Sequence, residues 1–385
     1  MSEIKRMLKK PRKNNIKIAL STIILLTITM GNASAQDPGP SPYNFNTETW
    51  MQPFAAEGRT WGGTSGIAIQ SSERIFVLQR GETQLPSPVP PEYTSFAGSL
   101  GWNVLRGRGR IWENCIYVID SEGNLLEVWN QWDHLFEGTD GPGPHKLRMS
   151  PYDDENRLWL IDETGNIIYV FSNDGSKLEM TLGEKNIAGA DETHYSQPQD
   201  VAFLPDGKLL IADGLGNARI VVRDADGSYI KEFGERGEGS HQFAGVHALA
   251  LGPEDRLYAL DRDKRDIKVF QQTAQRGSSA YPTYEHRETW SGLGMPLDIT
   301  VSAGAAWVTD LNPPKIVQFN LDGERLYSFN LPTEGPDRWI EMHSMAVDDQ
   351  GNLFGTDNQA GRPQKLTPKT NADPSNLVRP AYVPE

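Results

Sequence analysis

One unit recurs along the chain, and it limits the possible fold more than any other feature. The segment SQPQDVAFLPDGKLLIADGLGNARIVVRDADGSYIKEFG, Ser196 to Gly234, holds four short alternating apolar runs separated by DG, NA and DG turn signals. Altered copies run from Gly143 to Gly183, Ala244 to Phe270, Gly294 to Asn330 and Glu341 to Pro368. A first copy starts at Gly62, breaks off after Glu82 and resumes at RIWENCIYVIDSEGNLLEVW, which brings the total to six. Period-two alternation with Gly, Asn and Asp at the turns predicts small antiparallel sheets of four strands rather than helices. Six such sheets around an axis predict an all-β, six-bladed propeller over residues 61–370. A pair of β-sandwiches is the alternative, but one unit repeated regularly from Gly62 onward argues against it.

The ends of the repeat array carry their own expectations. The last unit is short of an outer strand after Pro368, so residues near Thr47 to Phe54, in the N-terminal segment 36–60, are expected to pair with it and close the ring. Residues 371–385 read as an extended Pro-rich tail. At the start, Lys5, Arg6, Lys9, Lys10, Arg12, Lys13 and Lys17 precede an apolar run from Ile18 to Met30 and then Ala33-Ser34-Ala35. That order predicts a signal peptide over 1–35 and an exported, periplasmic or extracellular protein. An uncleaved anchor is the other reading, but this run of 13 residues is short against the roughly 20 a spanning helix needs.

Without residues 1–35 the chain keeps 30 basic and 50 acidic residues, a net charge of −20. So acidic a protein is not expected to bind nucleic acid or an anionic membrane as its main partner. Cys115 is the only cysteine, which excludes an internal disulfide, and its setting ENCIYVID predicts a buried, inert thiol.

Aligning the units by their turns exposes one position at the start of each first strand, occupied in order by Ser65, His145, Gln199, His247, Leu297 and His343. First strands line the channel of a propeller, so alternate blades point imidazoles at a common centre. Three neutral imidazoles with a fourth position open suit zinc. A lone histidine would be read as a strand residue satisfied by carbonyls, but three at one phase argue for a metal. His134, His194, His241 and His286 share no phase and are assigned to turns or blade connections. A second shared position, at the end of the second strand, holds Asp162, Asp213, Asp261, Asp310 and Asp357, read as turn-capping carboxylates. The residue after this position varies and is twice arginine, Arg80 and Arg262. Beside a metal these could hold a substrate carboxylate; alternatively they pair with acidic turn residues.

The runs DGLGNARIV and HYSQPQDVAF, together with the histidine strand starts, resemble the NHL-repeat propellers, and within them the peptidyl-α-hydroxyglycine α-amidating lyases. The resemblance covers about Gly62 to Pro368. It implies that His145, His247 and His343 hold zinc and that Arg80 and Arg262 contact substrate. It also implies a structural calcium on the backbone carbonyls of Ile67 and Leu147, but the Asp that completes that site is replaced by Ser344. The catalytic tyrosine of the family's DG-aromatic-x-N motif is replaced by Leu215, whose side chain can neither donate nor accept a proton.

The implied activity is zinc-dependent cleavage of an α-hydroxyglycine amide, or a related α-hydroxy acid derivative, to an amide and glyoxylate. Its partner would be a small-molecule or peptide substrate with a carboxylate. The rival is a non-catalytic propeller that binds a protein or glycan, with the insertion Glu82 to Arg110 as its surface; in an enzyme the same insertion could be a lid. A lactonase-like hydrolase, which would want calcium held by oxygen ligands, fits the histidines poorly.

Overall fold

The structure is a computed structural model that describes residues 38–45, 50–51, 54–93, 109–138 and 141–385. The signal-peptide reading therefore lies outside the described residues. Among them no helix is long and apolar enough to cross a membrane.

The described chain is a six-bladed propeller, with six sheets of four antiparallel strands each. The innermost strands, in blade order, are Thr64–Ser71, Pro144–Met149, Asp200–Phe203, Val246–Gly252, Pro296–Val301 and Met342–Val347. The sequence pattern suggested strands with one polar face. Instead, second strands such as Leu158–Asp162 and Leu209–Asp213 are buried along their whole length. The reason is that each sheet is covered on both faces by its neighbours. The apolar core accordingly divides into six clusters, each spanning one blade-to-blade interface. Trp159, Ile161 and Ile168 of blade two meet Val201, Phe203 and Ile211 of blade three in one of them. Burial of one such large side chain stabilises by about 1.5–3 kcal/mol, so the ring is held by its interfaces rather than by a central core.

The ring closes through the N-terminal segment, but four residues earlier than expected. Tyr43–Phe45, not the stretch near Thr47 to Phe54, pairs antiparallel with Pro363–Pro368 as the outer strand of blade six. Residues 46–49 and 52–53 lie outside the described residues. Trp50 and Met51 pack into the interface between blades one and six. The tail is not a free extension either. The Val378 amide donates to the Tyr43 hydroxyl at 2.8 Å, and the Tyr382 amide to the Val301 carbonyl at 2.6 Å. Ala381, Tyr382 and Val383 thus lie over the far end of the inner strands, beside a cavity of about 290 Å³.

The insertion contributes Glu82–Gln84 and Arg110–Ile111 to a separate three-stranded sheet with Arg59–Trp61. Residues 94–108, between those strands, lie outside the described residues. Cys115 is buried and free, and burial pushes its thiol well above the usual range.

Candidate metal centre

A local irregularity aims the histidines. In blades one, two, four, five and six the ladder between the first two strands skips one residue near its start: Asp162 pairs with Pro144 and Ile161 with Lys146, leaving His145 as the extra residue. The same skip leaves out Ser65, His247, Leu297 and His343. A bulge of this kind breaks strict alternation, so two successive residues can face the same side. The channel is therefore lined by two adjacent rings: the first carries the histidines, and the second carries Gly66, Lys146, Asp200, Ala248, Asp298 and Ser344. Gly66 has a steric reason, since a Cβ there would lie 2.6 Å from the Leu147 amide nitrogen of blade two.

His145, His247 and His343 converge with one ring nitrogen from each within 4.8 Å of the others, and all three are buried. Each Nδ1 is bonded across to the next blade: His145 to the Gln199 carbonyl at 2.9 Å, His247 to the Leu297 carbonyl at 2.6 Å, and His343 to the Ser65 carbonyl at 2.8 Å. The acceptors are the occupants of the same position on the three blades without histidine. A carbonyl can only accept, so Nδ1 carries the proton and Nε2 presents its lone pair to the axis. Burial, reinforced by mutual repulsion and by Arg80, holds His145 well below the ordinary histidine range. His247 and His343 are depressed in the same way, burial again leading, with Arg262 acting on the former and Arg80 on the latter.

The Nε2 atoms of His145 and His247 lie 3.1 Å apart, and the rings of His145 and His343 are 4.6 Å apart between centroids. Lone pairs of neutral imidazoles facing each other at that distance repel unless a cation lies between them. Their fixed tautomers are those of metal-bound imidazoles oriented by carbonyl partners. The donor set fits a borderline divalent ion such as zinc.

Two arginines flank this ring. Arg80 is buried; its Nε donates to the Pro144 carbonyl at 3.2 Å, and its Nη2 lies 3.4 Å from Glu163 Oε1. Arg262 is partly exposed and donates through Nε to Asp263 at 2.9 Å. Both arginines have acidic partners, as the blander reading foresaw, and both also act on the histidines. Leu215 lies in the turn after the second strand of blade three, its carbonyl accepting from Arg236.

Glu163 went unremarked in the sequence, although it stands at the position of Arg80 and Arg262 on blade two. It is buried, with Oε2 3.7 Å from His145 Nε2 and accepting from Gln199 Nε2 at 2.9 Å. The signal in the sequence is its place directly after Asp162, the position that holds Arg80 and Arg262 on other blades. Of the other histidines, His286 is misplaced by the sequence reading. It lies in the outer strand of blade four, Tyr284–Trp290, opposite Phe270.

The calcium expectation does not fit the residues present. The Ser344 hydroxyl donates to Asp298 Oδ2 at 3.2 Å, and Lys146 Nζ lies 2.8 Å from Asp298 Oδ1. Arg148 pairs bidentately with Asp200 at 2.9 and 2.8 Å and reaches Asp298 at 3.2 Å. Two fixed cations already neutralise the two carboxylates there, and a further divalent ion would meet their repulsion. Burial would raise the Asp298 carboxyl, but Lys146 and Arg148 outweigh it and hold it far below the usual range.

Fold and centre together define a six-bladed NHL-type propeller with a convergent tri-histidine cluster in its channel. The chain resembles the peptidyl-α-hydroxyglycine α-amidating lyases. Peptidylglycine alpha-amidating monooxygenase of Rattus norvegicus is 29% identical over 255 residues, covering 62% of this chain and 24% of that protein. Peptidyl-alpha-hydroxyglycine alpha-amidating lyase 2 of Drosophila melanogaster is 23% identical over 206 residues, covering 53% and 47% respectively. The chain thus spans less than half the length of either relative. NHL repeat-containing protein 3 of Mus musculus is 24% identical over 163 residues, covering 40% of this chain and 44% of that protein. No family model matches the chain. Among solved structures, a gluconolactonase from Xanthomonas campestris superposes with a TM-score of 0.52 at 14% identity, covering 86% of this chain and 99% of that one, which supports the propeller fold alone.

Proposed function

We propose that this protein is an exported, zinc-dependent lyase that cleaves an α-hydroxyglycine amide, or a related α-hydroxy acid derivative, to an amide and glyoxylate. The observation that carries the reading is the cluster of His145, His247 and His343, each oriented by a carbonyl of the neighbouring blade. Zinc bound there would supply Lewis acidity toward the substrate hydroxyl. The chain's own residues do the rest. Arg80 and Arg262 present guanidinium donors on two sides of the histidines, suited to a substrate carboxylate. Loss of the hydroxyl proton lets the carbon–oxygen bond become a carbonyl as the carbon–nitrogen bond breaks, its electron pair going to the amide nitrogen. The resemblance to the lyases supports the same reaction, and the leader-like residues 1–35 support export.

Leu215 favours the second reading, a non-catalytic propeller that binds a protein or glycan, because the tyrosine expected there is missing. One experiment separates the two. Metal content of the purified protein is measured by elemental mass spectrometry, and glyoxylate release from an N-acyl α-hydroxyglycine is followed with time. About one zinc per chain with turnover supports the lyase; absence of both leaves the binding scaffold.

A further inference from the structure

The lyase reading leaves one chemical role unfilled: something must accept the proton of the substrate hydroxyl, and Leu215 cannot. We propose that Glu163 accepts it. This rests on the proposed reaction and adds to it a residue of this chain that occupies a different blade from Leu215.

Arg80 and Arg262, the other long side chains beside the histidines, carry donors only. Glu341 is a second carboxylate near Arg80, its oxygens accepting from the side chains of Asn358 and Gln359 at 3.1 and 2.9 Å. Glu163 is the carboxylate that lies against a histidine of the cluster. Its Oε2 lies 3.7 Å from His145 Nε2, beyond hydrogen-bond distance. It does not join the three converging nitrogens, so it lies beside the cluster rather than within it. Gln199 Nε2 at 2.9 Å and Arg80 Nη2 at 3.4 Å hold the carboxylate in place. Gln199 also supplies the carbonyl that orients His145, so one residue positions both the ligand and the acceptor. The groups facing Glu163 are thus Arg80 from blade one, His145 from its own blade and Gln199 from blade three.

The step balances without another reactant. The hydroxyl proton passes to a Glu163 carboxylate oxygen, the carbon–oxygen bond becomes the carbonyl of glyoxylate, and the carbon–nitrogen bond breaks with its pair on nitrogen. Glu163 then gives the proton to that nitrogen, which completes the amide and restores the carboxylate.

The test uses Glu163→Gln, which keeps size and shape. With zinc bound, the variant is expected to retain one metal per chain and a nearly unchanged KM while kcat falls at least about 100-fold. A second readout is independent of turnover. In the cobalt-substituted protein, azide binding is followed through the visible absorption; removing a carboxylate that borders the open position should tighten azide about tenfold. Unchanged kcat with measurable wild-type turnover, or loss of the metal in the variant, overturns the proposal. So does an azide affinity that does not move. Should the wild type release no glyoxylate at all, the lyase reading fails by itself, and the azide arm still decides whether Glu163 borders the open position.

Discussion

The two rings of the channel, one residue apart on the same strands, solve opposite problems. In the second ring Lys146, Asp298 and Asp200 are satisfied together with Arg148, two residues beyond Lys146 on the same strand, so the charges are spent on holding strands of blades two, three and five together. In the first ring three neutral imidazoles turn their lone pairs toward one another at the axis. The second ring is closed electrostatically, and the first is arranged for a cation. A stretch of channel that pairs all its charges is structure; one that leaves like groups converging at fixed tautomers is a candidate for cation binding.

The contrast can be broken most sharply at Asp298. Asp298→Asn leaves Lys146 and Arg148 short of a countercharge in a buried setting, and stability should fall by about 3–5 kcal/mol, read from urea unfolding. A loss below about 1 kcal/mol would mean that the second ring is wetter and less coupled than its distances indicate.

His247→Ala should behave in the opposite way. Metal-stripped wild type and metal-stripped variant should unfold within about 2 kcal/mol of each other, because the Leu297 carbonyl loses its donor while a group that repels its neighbours is removed. Adding zinc at a hundredfold excess over its dissociation constant should then stabilise the wild type by about 2.7 kcal/mol and leave the variant unmoved. If the stripped variant is as damaged as Asp298→Asn, the first ring is structural too and the distinction fails.

Leu215→Tyr sharpens the functional half. If Glu163 supplies the proton acceptor, a tyrosine at 215 should change kcat less than about threefold in the wild type, and steady-state glyoxylate release would read this. A rise of ten- to a hundredfold would instead show that the wild-type centre lacks an acceptor.

A last effect concerns the turn carboxylates. Asp213, Asp261, Asp310 and Asp357 each accept from backbone amides at the start of their own blade. Asp162 instead accepts from Gly165, and its Oδ2 is buried without a partner. Burial raises its pKa from 3.8 to about 6. A raised acid pKa means that the folded state holds the proton more tightly, so the group's contribution falls as pH climbs from about 4 to 6. Asp162→Asn should therefore match the wild type at pH 4 and exceed it by about 1–2 kcal/mol above pH 6, seen as a pH-dependent gap in urea midpoints.

Much of the architecture could be read locally. The turn signals and apolar runs of each unit are contiguous, and the histidines at 145, 247 and 343 share a phase within those units. Arg80 and Arg262 followed from the same alignment. What escaped depends on contacts between units. The bulge that turns both His145 and Lys146 to the channel leaves no mark in the hydrophobic pattern, because it changes register without changing composition. The strand that closes the ring was displaced from the Thr47 to Phe54 estimate to Tyr43–Phe45, since only pairing with Pro363–Pro368 defines it. Glu163 looked like any polar residue after a strand until folding brought it beside His145.

By itself the sequence determined the number of blades, the all-β class and the three imidazoles at one phase, because each is written within a unit of about 40 residues. Only the tertiary structure decided which nitrogen faces the axis, which carboxylate borders it and which charges cancel below it. Those choices rest on partners separated along the chain by 54, 50 and 278 residues for the three histidines, distances over which no local pattern carries information.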